Sequence, residues 1–308
     1  MERRPHWHRA AALAVGLLIF ALAGGACAAR RAPSAPPSDA PAAAPAAAAA
    51  AKPSDPAPDV PPTRTIETAD AQLAAALARL KSLPTPDSLK AVAGEYLRLG
   101  IFDQAISTLN RALEMAPADA TLFAMRARAF RDWEQPETGL GDAHRATYLA
   151  PRSADAYNTL GTIQFALNQK AEARASFERA LEIMPDAVFP LSNLCYLALI
   201  QGDEVTALAR CSAALERDPA SMPARNNLAL VHASAGRLEE ARKLFLESAD
   251  KAGGHYNMGI VLMSRREYAA AALSFADACR LRPSFDEACR RAVEARGLAS
   301  RNSSRNPL

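Results

Sequence analysis

The sequence predicts an all-α fold, a superhelical solenoid of six helix-turn-helix units with a covering helix at each end. Three observations predict it. Pro117, Pro151, Pro185 and Pro219 stand 34 residues apart, and Pro283 lies 64 beyond, which is one full period plus one shortened by four. Small residues and large apolar residues both recur in phase with those prolines. Half of the 308 residues are apolar while only 6% are aromatic, the composition of helices that approach closely rather than of a core built on large rings.

The N-terminus reads as an address. Residues 1–27 carry Arg3, Arg4 and Arg9 against Glu2, then an apolar run over 10–23, then the small residues Gly24, Gly25 and Ala26. This is the pattern of a secretory signal peptide, and the run is short for a membrane span. Cys27 is a candidate lipidation site: a cysteine at that place resembles the lipobox of bacterial lipoproteins, although Gly24 stands where that family prefers leucine. Cleavage after Ala28, with Ala26 and Ala28 as an A-x-A site, is the competing reading. Residues 28–63 are rich in proline and alanine, and proline blocks helix propagation, so they read as a disordered tether.

Residues 64–85 are expected to form an N-terminal capping helix with Ile66, Leu73, Ala76, Leu77 and Leu80 on one face. The six units follow as 86–119, 120–153, 154–187, 188–221, a shortened 222–251, and 252–285. Unit position 8 is small throughout (Ala93, Ala127, Gly161, Cys195, Ala229, Gly259), as are position 20 (Ala105, Gly139, Ala173, Ala207, Ala241, Ala271) and position 27 (Ala112, Ala146, Ala180, Ala214, Ser248, Ala278). Larger residues fill position 7 (Val92, Leu160, Leu194, Leu228, Met258) and position 24 (Leu109, Phe177, Phe245, Phe275). Each periodic proline ends a second helix, and Gly100, Gly202 and Gly236 mark the turn inside a unit. Unit 2 departs most, with Arg126 at position 7 and Pro136 in the turn, and a looser pairing is expected there. Residues 286–300 are expected as the C-terminal capping helix and 301–308 as a disordered tail.

This phased pattern of small, large and proline positions resembles the tetratricopeptide repeat, which implies a right-handed superhelix of 86–285. The resemblance also implies a concave wall lined by first-helix positions 2, 5, 6, 9, 12 and 13. In units 3–6 that wall carries the candidate peptide-binding groove: Asn158, Phe165, Asn193, Tyr196, Leu199, Ile200, Asn226, Asn227, Leu230, Tyr256, Asn257, Ile260 and Met263. Apolar side chains there suit a peptide's side chains and asparagine amides its backbone. In unit 2 Arg128 and Arg131 form a basic entrance. A clamp for a C-terminal carboxylate is disfavoured, because Lys90 fits the pattern but Gly94 and Thr159 break it. His232 and His255, at positions that take core aromatics in such repeats, read as packed side chains.

Cys195 and Cys211 fall nearly level across the turn near Gly202, and Cys279 and Cys289 across the turn near Pro283. Two disulfides are one reading in an exported chain; close packing of cysteine as a small apolar residue is the other.

The charge balance is near even, 36 basic against 33 acidic residues, and excludes a strongly basic nucleic-acid binder. No nucleophile elbow, glycine-rich phosphate loop or metal-ligand spacing appears. The chain is therefore expected to be no enzyme and to need no cofactor or metal. The C-terminal stretch 279–308 is basic and reads as a solvated end.

An exported repeat solenoid on a tether is similar to bacterial pilus-assembly lipoproteins, of the type IV pilotin or Flp/Tad kind. That resemblance implies a scaffold in the periplasm, anchored to the outer membrane, whose protein partner is a secretin, a pilus subunit or another envelope component. The alternative is an accessory module that recruits a peptidoglycan or other envelope enzyme.

Overall fold

The computed structural model describes residues 70–247 and 250–305, and among them all regular structure is helical. The signal sequence, the tether, Cys27, Ile66 and Ser248 lie outside the described residues. The helices are α1 (Ala71–Ser82), α2 (Pro86–Arg98), α3 (Phe102–Met115), α4 (Ala120–Asp132), α5 (Pro136–Leu149), α6 (Ala154–Ala166) and α7 (Lys170–Ile183). They continue with α8 (Val188–Gln201), α9 (Glu204–Arg217), α10 (Met222–Ser234), α11 (Leu238–Leu246), α12 (Lys251–Ser264), α13 (Tyr268–Leu281) and α14 (Asp286–Arg305). From α2 to α13 they pair as antiparallel hairpins, each packed on the next, with α1 and α14 covering the two ends.

Proline sets the spacing between units. A residue before proline is pushed out of the α region, and all five residues before the periodic prolines obey. Ala116, Ala150, Met184, Asp218 and Arg282 have φ between −130° and −138° and ψ between 71° and 94°. Each is a C-cap, so the second helix stops there. The next helix then starts on a side-chain cap in most units: Thr85, Asp119, Ser153, Ser221 and Asp250 all accept from backbone N–H groups of the first turn. Ala187, which offers no such group, stands at the N-cap of α8.

The turn inside each unit has a second rule, which the sequence half conceals. Position 15 takes a positive φ in all six units: Gly100 (70°), Gly202 (78°) and Gly236 (82°), but also Glu134 (60°), Asn168 (61°) and Arg266 (62°). The following N–H reaches five residues back in every case, for example Gln135 to the Phe130 carbonyl at 2.8 Å and Asp203 to the Ala198 carbonyl at 3.0 Å. These bonds close the first helix in a Schellman-type cap. Three units thus hold a left-handed residue without glycine's freedom.

The small positions do what their size allows. Ala93, Ala127, Cys195 and Ala229 at position 8 have no exposed surface, nor do Ala105, Ala173, Ala207, Ala241 and Ala271 at position 20. Where position 8 is glycine, the partner is a phenylalanine: a Cβ on Gly161 would sit 2.5 Å from the Phe177 ring, and one on Gly259 2.7 Å from Phe275. Phe177, Phe245 and Phe275 are the largest of the fully enclosed side chains, each worth about 1.5–3 kcal/mol of burial.

The same close approach brings the cysteines together. Cys195 and Cys211 are joined, with Cα atoms 5.3 Å apart, and so are Cys279 and Cys289, at 4.9 Å. The first bridge ties α8 to α9 within unit 4. The second ties α13 to the end helix α14.

Three expectations are corrected. Unit 2 is not looser: Arg126 at position 7 forms a two-pronged ion pair with Asp142 of α5, and Pro136 is the first residue of α5, where its missing N–H costs nothing. Leu228 at position 7 is half-buried rather than core. The end helix runs to Arg305, five residues into the expected disordered tail.

Candidate functional site

First helices of neighbouring units pack on one another (α4 on α6, α6 on α8, α8 on α10), so their free faces form one continuous inner surface. Caps and Schellman turns fix the rotation of each helix, and the 34-residue period puts the same position of each unit at the same height. The candidate groove residues therefore lie on successive first helices, but they differ sharply in access.

Many are closed off. Tyr196, Leu230, Tyr256 and Ile260 are buried, as are Asn226, Asn227 and Asn257. The asparagine amides were expected to meet a peptide backbone; two are engaged inside the solenoid. Asn193 Nδ2 donates to Asn158 Oδ1 of the preceding unit at 2.9 Å, and Asn227 Nδ2 donates to the Ser192 carbonyl at 2.9 Å. Position 6 lies between adjacent first helices, where a donor that spans the gap satisfies a backbone acceptor that water cannot reach.

Asn257, 1% exposed, keeps an Oδ1 with no partner among the described residues, and the Tyr196 hydroxyl likewise has none. Burial pushes that phenol up to about 12, so it stays protonated and able to donate. The Tyr196 ring meets Phe165 edge-on, with centroids 5.6 Å apart. Tyr256 packs on Phe275 and Phe285, with centroids at 5.4 and 4.9 Å.

The half-buried apolar side chains fall mainly at position 12: Phe165, Leu199 and Met263 in units 3, 4 and 6, with Ile200 beside Leu199. The inner surface is thus an apolar strip one side chain deep rather than an open trough.

The arginines expected as a basic entrance are already paired. Arg128 Nη1 reaches Asp155 at 3.2 Å and Thr159 Oγ1 at 3.2 Å; Arg131 holds Asp132 at 2.7 Å and donates to Thr162 Oγ1 at 2.8 Å. They bridge unit 2 to unit 3, because the Asp and Thr of the next first helix come within a guanidinium's reach.

The two histidines are packed, and each is disfavoured from charging. Arg237 Nε donates to His232 Nδ1 at 2.9 Å; burial first, then the Arg237 charge, lowers the His232 pKa, against Glu240 and Glu204. Burial also lowers the His255 pKa, over the opposing pull of Asp277 at 3.8 Å. Among the described residues no cluster of His, Cys, Asp and Glu has the makings of a metal site, and no helix is long and apolar enough to cross a membrane.

A feature that the sequence reading missed lies at the edge of this surface. Met184, Phe189 and Met222 line a cleft of about 580 Å³ where the starts of α6, α8 and α10 meet. The signal was available: position 2 holds Asp87, Thr121, Asp155, Pro223 and Gly253 in the other units, and only unit 4 places an aromatic residue there, with Phe189 63% exposed.

A repeat of this geometry, with paired helices, a capped left-handed turn and a shared inner face, is that of the tetratricopeptide repeats. The chain carries these repeats: tetratricopeptide repeat family models match residues 154–187 and 198–256. It is 28% identical over 105 residues to the small glutamine-rich tetratricopeptide repeat-containing protein 2 of Mycosarcoma maydis, a stretch covering 34% of this chain and 30% of that one. Over 99 residues it is 29% identical to the Hsp70-Hsp90 organizing protein of Triticum aestivum, covering 32% of this chain and 17% of that one. The chain thus spans less than a third of the length of these curated relatives. In fold it is similar to a tetratricopeptide repeat protein from Parabacteroides merdae, with a TM-score of 0.57 at 18% identity over 72% of this chain and 90% of that one.

Proposed function

We propose that the protein is a non-catalytic scaffold of a bacterial cell envelope, exported and anchored by an acyl group on Cys27. It takes an apolar segment of a partner along its first-helix face and so assists assembly of a pilus or secretion complex. The observation that carries the binding reading is the recurrence of half-buried apolar side chains at position 12 of units 3, 4 and 6, Phe165, Leu199 and Met263, with the small Ala233 at that place in unit 5. A row of apolar side chains spread over four units fits a peptide better than a small molecule.

Two features support the compartment. The N-terminus has the order of a secretory signal, and four of the five cysteines are bonded in pairs, as befits an oxidising environment. A chaperone tail is not the ligand in this reading, although one relative is named as an Hsp70-Hsp90 organizing protein. Thr159 is 1% exposed and sits beside Arg128, while Lys90 holds Asp87 at 2.9 Å, so neither stands free to meet a terminal carboxylate.

The test is a crosslinked pull-down from envelope membranes with the wild type and with Leu199→Asp and Met263→Asp. These sites are partly open, unlike Ile260, so the fold survives the charge. Recovery of a secretin or pilus subunit by the wild type alone, at unchanged helical circular dichroism, is the expected result. Recovery of cell-wall enzymes instead would install the accessory-module reading, and equal recovery by all three proteins would remove the groove.

A further inference from the structure

We propose that the cleft at the starts of α6, α8 and α10 is a docking site for this chain's own N-terminal arm, through residues 30–37, Arg-Arg-Ala-Pro-Ser-Ala-Pro-Pro. The cleft has an apolar floor and an acidic rim. Met184 and Phe189 are 54% and 63% exposed, and Met222 shares the lining with them. Three carboxylates share the lining, Asp155, Asp186 and Asp218, and no basic residue does. Arg128 at 3.2 Å and Arg217 at 2.9 Å do approach Asp155 and Asp186 from outside the lining. Both pairs are solvent-exposed, and such pairs are worth at most about 1 kcal/mol, so an incoming cation competes with them at small cost.

The occupant follows from chemistry and reach. Arg30 and Arg31 complement the rim, and Pro33, Pro36 and Pro37 restrict the segment, so that little conformational freedom is lost when it lies against Phe189 and the two methionines. A cleft of about 580 Å³ lies within the usual range for a ligand site. The described chain begins at Asp70, so 32 residues separate it from Pro37; at about 3.1 Å each, an extended arm spans roughly 100 Å, ample for a return to units 3–5. A docked arm draws the solenoid in towards whatever holds Cys27, and a released one lets it range outward. The cleft shares only Asn158 with the groove, so this inference stands or falls separately from partner binding.

The test uses the full chain with Ala35→p-benzoylphenylalanine, a photo-crosslinker that reacts well with methionine. Irradiation followed by peptide mass spectrometry is expected to join residue 35 to Met184 and Met222, and not to Met115, which is equally exposed in unit 1. Arg30→Glu with Arg31→Glu, which leaves the solenoid untouched, is expected to abolish those crosslinks. Mixing isotopically heavy and light chains separates the sources. Crosslinks within one chain support the proposal; crosslinks only between chains would assign the cleft to the arm of a second copy and overturn it. Even labelling of Met115, Met184 and Met222, or no effect of the charge reversal, would overturn it as well.

Discussion

Arg126 and Asp142 face one another across unit 2, with Nε to Oδ2 at 2.6 Å and Nη2 to Oδ1 at 2.8 Å. The remaining Nη1 donates to Asn110 of unit 1 at 2.6 Å, so one guanidinium ties two units together. Charge here occupies a place that leucine, valine or methionine fills elsewhere.

Removing one member of this pair is expected to cost more than removing both. Both side chains are mostly shielded, and Asp142→Ala leaves a part-buried guanidinium without its carboxylate. A loss of about 3 kcal/mol is expected from that change, against about 1 kcal/mol for Arg126→Leu with Asp142→Leu. Urea unfolding of the two variants and the wild type checks the order.

The left-handed position divides the units into two groups with opposite responses. Glu134→Gly and Arg266→Gly relieve a residue held at φ near 60°, and each is expected to raise stability by about 0.5–1 kcal/mol. Gly202→Ala imposes the same strain and is expected to lose about 1 kcal/mol. Thermal unfolding reads both signs.

Gly161→Ala and Gly259→Ala are expected to destabilise by about 1–3 kcal/mol each, because the added methyl would overlap the Phe177 or Phe275 ring. Phe177→Leu in the Gly161→Ala background should restore part of the loss. No restoration would show that the glycine serves the backbone rather than the ring.

Acidification is expected to weaken the fold between pH 7 and 5. The folded state lowers the pKa of both His232 and His255, so the unfolded chain takes up protons first, near the ordinary value of about 6.5. The stabilising preference for neutral imidazole is complete above that value and is lost as pH falls through the lower, folded one. His232→Gln with His255→Gln should flatten the dependence of Tm on pH across this window; an unchanged slope would exclude the histidines as its cause.

Reduction is expected to destabilise the solenoid by about 2–4 kcal/mol per bridge, through the freedom returned to the unfolded chain. Denatured, unreduced protein should show no reactive thiol from Cys195, Cys211, Cys279 or Cys289. Cys211→Ser and Cys289→Ser should each lower Tm, and dithiothreitol should add nothing when both are present.

The fold was legible because its cause is local. A proline that forces its predecessor to extended φ and ψ, and an alanine that fits where nothing larger does, act the same way in every unit. Position 15 was only half legible: Asn168 tolerates the left-handed region, but Glu134 and Arg266 carry no mark of a positive φ, and the geometry of the turn overrides their preference. The site was legible by position and not by access. Whether Asn227 faces a ligand or the Ser192 carbonyl depends on how closely α8 and α10 approach, and that distance is a property of the stack. Arg128 and Arg131 misled for the same reason, because Asp155, Thr159 and Thr162, which hold them, belong to the next unit.

The two bridges are placed unevenly along the stack, and this gives the protein a mechanical polarity. A solenoid under load unravels from its ends, unit by unit. At one end Cys279–Cys289 pins the covering helix to the last unit, and Cys195–Cys211 closes unit 4 into a loop that cannot be drawn out. The first three units have no such stop. Tension can therefore draw out α1 to α7 at their full length, whereas the segments 195–211 and 279–289 stay closed by their bridges.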